Sequence, residues 1–275
     1  MSITLEDLLS ATGATLHGPV RDAAWDDFCH DSRLAEAGQL FVALRTTTGD
    51  GHDHIGEAVA RGCTGILCQR PAAEHPPATT LLVPDTGDAL RAWAAHLLAR
   101  RRPLVIAITG SSGKTTAKEL SAELLETRFP GQVFRSRESY NDRLGAPIAL
   151  GRLQPQHRLA VVELGTDAHG EIAELAALFR PAVAAITVIN DAHLGAFGSL
   201  EAIAAEKASL LAALPPGGVA ILNADDPLQR PFLGSETLPT LAHGAEQPAP
   251  VRLSPALASR QARLWLDTAA IRSLA

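Results

Sequence analysis

Gly110, Ser111, Ser112, Gly113, Lys114, Thr115 and Thr116 form the run best suited to chemistry in this 275-residue chain. The apolar stretch Leu104–Thr109 precedes it and has the β-branched content of a buried strand. A helical stretch with apolar positions at Leu120, Leu124 and Leu125 follows it. A strand, a Gly-rich turn and a helix that starts on Lys-Thr make a phosphate-binding layout. The helix start offers unpaired backbone N–H groups and the positive end of a dipole to an anion. Gly110 and Gly113 let the backbone curl around phosphates. The Lys114 ammonium reaches the terminal phosphates, and the Thr115 hydroxyl is a ligand for Mg²⁺. The general loop pattern places its first glycine at position 108. Here that position is Ile108, and the loop is the tighter T-G-x-x-G-K-T form.

Two further ionisable residues stand where buried strands run out. Leu159–Gly165 is an apolar strand that ends on Glu163, and Pro181–Asn190 is another that leads to His193. Ligands of open α/β sheets bind beyond the carboxyl ends of the strands, which makes Glu163 an expected Mg²⁺ ligand. Nearer the N-terminus, Asp31-Ser32-Arg33 offers a hydroxyl and a guanidinium fork suited to a pyrophosphate; by itself it is equally a polar turn with a solvated arginine.

The elements that must position these groups alternate along the chain. A short helix over Ser2–Gly13, capped by Thr4, precedes the segment Phe28–Arg33 and a strand at Ala37–Arg45 entered through a Gly turn. A polar turn at Gly49–Asp53 leads into a helix over Ile55–Arg61, and strands follow at Gly62–Cys68 and Thr79–Pro84. The helix Asp85–Arg100 has Leu90, Trp93, Ala94 and Leu97 on one face. Beyond the phosphate loop come a strand at Val133-Phe134, the helix Leu200–Leu214 capped by Ser199, and a strand within Gly217–Pro227. Two edge strands are expected between Pro248 and Leu266.

These pieces together resemble the Mur ligase family, ATP-dependent enzymes that form amide bonds. The resemblance rests on the T-G-x-x-G-K-T loop, on Asp31-Ser32-Arg33 followed by G-x-L-F-V-A and Asp50-Gly51-His52-Asp53, and on the N-x-x-x-G-x-P segment from Asn141 to Pro147. The string A-H-L-x-x-F-G-S-L from Ala192 to Leu200 is its most specific part, and N-A-D-D at Asn223–Asp226 extends it. Motif order is closest to the branch that joins D-alanyl-D-alanine to a UDP-N-acetylmuramoyl-tripeptide (MurF type). The resemblance implies ATP and Mg²⁺ as cofactors. It implies Ser32 and Arg33 on a UDP-N-acetylmuramoyl-peptide, Asn141 near the nucleotide phosphates, and His193 on a second Mg²⁺. It also aligns Lys207 with a lysine that the family carbamylates. Lys114, Lys207 and His193 are then the catalytic residues, with Thr115, Glu163 and His193 holding metal.

The expected fold is α/β. A small N-terminal α/β domain of the UDP-binding type spans 1–100. A mostly parallel P-loop ATPase-type sheet flanked by helices spans 101–275. The resemblance fades after Pro227. Family members continue with a G-x-H-N-x-x-N segment on adenine and a third domain that receives the amine. The expectation is therefore an incomplete ligase that works with a separate C-terminal-domain partner, or as a homodimer. Two alternatives stay open: a non-catalytic protein that binds nucleotide or UDP-sugar peptide, and a P-loop kinase or NTPase of another family. A net charge of -6 argues against nucleic-acid binding. Cys29, Cys63 and Cys68 lack metal-ligand spacing and read as reduced thiols of a cytoplasmic protein. No signal peptide and no membrane-spanning run is expected.

Overall fold

A computed structural model describes residues 3–46, 49–72, 76–137, 140–233 and 240–243 of the chain. The strands expected between Pro248 and Leu266 lie outside the described residues, as does Ser139. In chain order the first elements are β1 (Ile3–Thr4), α1 (Leu5–Thr12), β2 (Thr15–His17), β3 (Ala24–Trp25), β4 (Phe28–Cys29), β5 (Leu40–Val42), α2 (Ile55–Ala60), β6 (Gly65–Cys68), β7 (Thr79–Leu82) and α3 (Thr86–Arg101). There follow β8 (Leu104–Thr109), α4 (Lys114–Arg128), β9 (Val133–Arg135), α5 (Gly145–Ala149), β10 (Leu159–Glu163), α6 (Glu171–Phe179), β11 (Val183–Ile186), α7 (Leu194–Phe197), α8 (Leu200–Ala212), β12 (Val219–Asn223) and β13 (Thr240–His243). The chain divides into two compact units, one of residues 1–103 with 122–160 and one of 104–121 with 161–275.

In the first unit a five-stranded sheet runs β2-β7-β6-β5-β4. β4 to β7 pair in parallel and β2 joins antiparallel at one edge. The strands are short; β4, β5 and β6 are wholly apolar, and Phe41, Ile66 and Leu81 are fully buried. α3 has the expected face: Leu90, Trp93, Ala94 and Leu97 are all buried, and Trp93 meets Phe28 edge-on at 4.7 Å. Thr4 caps α1 by accepting the Asp7 N–H at 3.1 Å, and Gly13 closes it in the left-handed region at φ 65°. Only glycine is tolerated at position 65, because a Cβ there would collide with the Trp25 indole.

The larger sheet has six strands in the order β13-β12-β11-β8-β10-β9. β8, β11, β12 and β13 are mutually parallel, with Ile186 opposite Thr109 and Ala185 opposite Ile221. Parallel register brings the carboxyl ends of β8, β11 and β12 to one edge. β10 joins that edge as it leaves the sheet, where the Leu164 N–H donates to the Ile108 carbonyl at 2.9 Å. Buried β-branched residues explain these strands; Val105, Ile106, Val161 and Val162 have almost no exposed surface. The leucines of α4 do not mark its buried side. Leu120 and Leu124 are 62% and 50% exposed, whereas Lys118 and Ala122 are buried. The i, i+4 spacing puts the two leucines on one face, as expected of a helix, but that face lies in solvent.

Candidate nucleotide and metal site

The phosphate loop leaves β8 through Gly110, whose φ of 148° favours glycine, and turns into α4 through Gly113 at φ 79°. Segment 187–190, just beyond β11, holds the loop in place. The Ser111 N–H donates to the Val188 carbonyl at 2.7 Å, and Ser112 bridges to Val188. The Ser111 hydroxyl accepts from the Asn190 N–H at 3.0 Å and lies 3.2 Å from the Asn190 carbonyl. The Asn190 side chain donates weakly to the Ser112 hydroxyl at 3.4 Å. Most loop contacts therefore use main chain. The Lys114 ammonium folds back onto the Gly110 carbonyl at 2.9 Å. Thr116, one turn position on, is exposed.

The Thr115 hydroxyl donates to Glu163 Oε2 at 2.8 Å, which brings the helix start and the end of β10 together. Glu163 is 2% exposed. A hydroxyl and a buried carboxylate side by side are hard oxygen donors of the type Mg²⁺ selects. The residues present therefore fit the implied ion beside a phosphate cradle. Lys207, on α8, is buried as well. Burial, and then the nearby Lys114 cation, push its ammonium down to about 8, against a smaller opposing pull from Glu206.

His193 begins α7 in the left-handed region at φ 66°, a backbone state uncommon outside glycine. Its Nδ1 lies 3.3 Å from Asp167 Oδ1. Two carboxylates order the loop that carries Asp167. Glu171 Oε2 accepts from the N–H groups of Asp167 and Ala168 at 2.8 and 3.1 Å. Glu206 accepts from the N–H groups of Gly170 and Ile172 at 2.7 and 2.9 Å, capping α6 where Gly170 has no side chain to do so. His169 packs edge-on against Phe197 at 4.7 Å. Thus Thr115 meets Glu163, Lys207 feels the Lys114 cation, and His193 stands with Asp167.

Ser32, Arg33 and Asn141 belong to the first unit. The Ser32 hydroxyl donates to Glu57 Oε2 at 2.7 Å. Arg33 forks onto the Asp31 carboxylate, with Nε and Nη2 at 2.9 and 2.6 Å. That fork holds Asp31 at about 2, well under the usual carboxylate range. Asn141 is half-buried and precedes Asp142, whose carboxylate accepts the Leu144 N–H at 2.9 Å at the start of α5.

Sequence reasoning noted Asp167 only as a departure from the family's usual Asn and gave no role to Glu171, Thr187, Glu206 or Gln229. The available signal at Thr187 was one hydroxyl inside an apolar strand run. For Glu206 and Gln229 there was none, because a helix Glu or a loop Gln is ordinarily solvated.

A family model described as "Mur ligase middle domain" matches residues 108–260, and one described as "Mur ligase family, catalytic domain" matches 28–102. The chain belongs to the Mur ligase family. Among curated relatives, the UDP-N-acetylmuramoyl-tripeptide–D-alanyl-D-alanine ligase of Synechocystis is 39% identical over 80% of this chain and 47% of its own length. A crystal structure of MurF from Acinetobacter baumannii superposes with TM-score 0.74 at 32% identity, covering 88% of this chain and 52% of that one. A MurF ligase from Thermotoga maritima, solved in complex with ADP, gives TM-score 0.68 at 30% identity over 80% of this chain and 51% of that one. The chain thus spans about half the length of these Mur ligases. Membership removes the alternative of a P-loop kinase from another family. No helix among the described residues is long and apolar enough to cross a membrane.

Proposed function

We propose that this chain carries out the carboxylate-activating half of a MurF-type ligation in peptidoglycan synthesis. ATP and a UDP-N-acetylmuramoyl-tripeptide are its substrates, and the cytoplasm is its compartment. The carrying observation is the Thr115–Glu163 pair beside Lys114 at the carboxyl edge of the parallel strands, with Lys207 within the field of Lys114. In this reaction the tripeptide carboxylate attacks the γ-phosphate of ATP, ADP leaves, and an acyl phosphate forms. An amine then displaces phosphate to give the amide. Lys114 binds the phosphates and neutralises charge that builds on them. Thr115 and Glu163 hold Mg²⁺, with His193 as the residue for a second ion. Mg²⁺ supplies charge neutralisation and alignment of the phosphates.

Lys207 in this reading carries a carbamate. Carbon dioxide adds only to the neutral amine, and a pKa of about 8 keeps a useful neutral fraction near pH 7. The product is an anion, so it replaces the Lys207–Lys114 repulsion with attraction. Ser32, Arg33 and Asn141 are assigned to the UDP-muramoyl substrate and its approach to the nucleotide. The direct test is to incubate the chain with MgATP, UDP-N-acetylmuramoyl-tripeptide and hydroxylamine. The acyl phosphate is expected to be trapped as a hydroxamate visible by mass spectrometry. ATP binding without any hydroxamate would reject the activating role.

A further inference from the structure

Thr187 stands one residue beyond β11, and its hydroxyl points into the phosphate loop. Its Oγ1 donates to the Ser112 carbonyl at 2.6 Å and lies 3.2 Å from the Thr109 carbonyl. Its own N–H donates to the Thr109 carbonyl at 2.9 Å. The two carbonyls immediately precede Gly110 and Gly113, so one threonine ties both ends of the loop. Gly110 is glycine for the same reason. A Cβ at that position would fall onto the Thr187 hydroxyl oxygen and leave it no room. The close approach that requires Gly110 is thus to a protein hydroxyl.

Thr187 is itself backed from the other side. Its carbonyl accepts from the Gln229 amide at 3.2 Å, and Gln229 is fully buried. That amide also donates to Asp226 Oδ2 at 2.9 Å, and its Oε1 accepts the Asn223 N–H at 2.9 Å. Asp226 Oδ2 in turn accepts the Ile189 N–H at 3.0 Å. The loop after β12 therefore fixes the segment after β11, and that segment fixes the phosphate loop. A loop without such support must be ordered when the phosphates arrive, at an entropic cost to affinity.

We propose that Thr187 is a positioning residue for the nucleotide, its hydroxyl holding Gly110–Gly113 in the phosphate-receiving conformation before ATP binds. The role rests on the assignment of this loop to ATP. Thr187→Val keeps the β-branched shape and removes only the hydroxyl. MgATP affinity, measured by calorimetry on the full chain, is expected to fall about tenfold, the usual scale for one lost hydrogen bond to a partner left unpaired. Thr187→Ser restores the hydroxyl and is expected to recover affinity to within about twofold. The second measurement needs no nucleotide. Hydrogen exchange of the Ser111 amide, which is bonded to Val188, is expected to quicken in Thr187→Val and not in Thr187→Ser, while the urea midpoint stays put.

Unchanged Ser111 exchange in Thr187→Val overturns the proposal. So does faster exchange with unchanged MgATP affinity, or an affinity loss that merely tracks lost stability. If the unmodified chain itself fails to bind MgATP, the nucleotide assignment falls and this role falls with it. Normal binding by the unmodified chain and by Thr187→Val rejects the Thr187 role alone.

Discussion

Around Gly110–Thr116 the holding contacts run through main chain and through Thr187, Ser111 and Asn190, while the Lys114 ammonium has one carbonyl for company. Around Asp31–Arg33 the side chains hold one another: Ser32 on Glu57, Arg33 on Asp31. The same turn neighbourhood contains Asp27, buried and shared by Arg137 and Arg152 at 3.1 and 2.6 Å. In the proposed roles, phosphates would meet a loop whose main chain is already held in place, whereas a ligand of Ser32 or Arg33 would compete with Glu57 or Asp31 for donors already in use. Prior alignment suits phosphoryl transfer, where positioning and charge supply most of the catalysis. Partner exchange suits recognition, where a bound group that fails to replace the lost partner is penalised.

The largest expected effect breaks the first side of the comparison. Lys114→Ala removes the cation folded onto the Gly110 carbonyl and leaves the loop's main-chain ties in place. MgATP affinity is expected to drop by at least about a hundredfold, since a charge-assisted contact to phosphate is lost in each of several oxygens. Calorimetry reads this directly, and the urea midpoint is expected to hold. Equal affinities in Lys114→Ala and the unmodified chain would end the assignment.

The legibility of the two regions in sequence differs for the same physical reason. The phosphate loop was readable because glycine, lysine and threonine at fixed offsets serve a backbone geometry, and geometry leaves a local trace. The strand-end position of Glu163 was readable from the apolar run that precedes it. The ties that stabilise these groups were not, because Thr187, Gln229 and Glu206 act across long sequence separations that only the parallel register brings together. The burial of α3 followed its periodicity. That of α4 did not: Leu120 and Leu124 are exposed while Lys118 is buried. Periodicity names a face without saying whether anything packs on it. The Ser32–Glu57 pair was likewise invisible, and it changes Ser32 from a ready donor into one already engaged.

Asp27→Ala tests the mutual pairing of the first unit. It removes the acceptor of Arg137, Arg152 and the Phe28 N–H in one step. The arginines are half-exposed and recover water, so the loss is expected to stop near ~2–3 kcal/mol, less than for a fully buried pair. Urea unfolding measures it. A change under about 0.5 kcal/mol would show that the pairs only decorate the surface.

Lys207 is the exception beside the phosphate loop, a buried cation near another cation. Its folded-state pKa, about 8, is below the ordinary lysine value. Between pH 8 and the ordinary lysine range near ~10.4, the unfolded chain therefore holds more protons, and stability is expected to rise with pH through that window. Lys207→Met removes both the burial cost and the repulsion. It is expected to stabilise the carbonate-free chain by ~1–2 kcal/mol and to flatten the pH slope. Labelled carbon dioxide supplies the complement: a carbamate carbon signal is expected in the unmodified chain, growing as pH rises towards 8, and absent in Lys207→Met. A signal that survives in the methionine variant would place the carbamate elsewhere.

Arg33→Ala carries the smallest expected effect on the fold and sharpens the comparison most. The Arg33 side chain is 78% exposed, and its ion pair with Asp31 is in contact with water. Exposed pairs contribute little, so stability is expected to stay close to that of the unmodified chain. MgATP binding is expected to be unchanged, because the described hydrogen bonds of Arg33 go to Asp31. UDP binding is expected to weaken about tenfold through loss of a guanidinium fork on pyrophosphate. Arg33→Lys separates charge from fork: lysine keeps the cation but offers no planar pair of donors, so only part of the loss is expected to return. Asp31 provides the internal control. With Arg33 removed, its carboxyl is released from the contact that holds it near 2 and titrates closer to the ordinary range, which carboxylate NMR detects. A shifted Asp31 together with unweakened UDP binding would mean that Arg33 serves Asp31 alone, and the partner-exchange description of this turn would have to be given up.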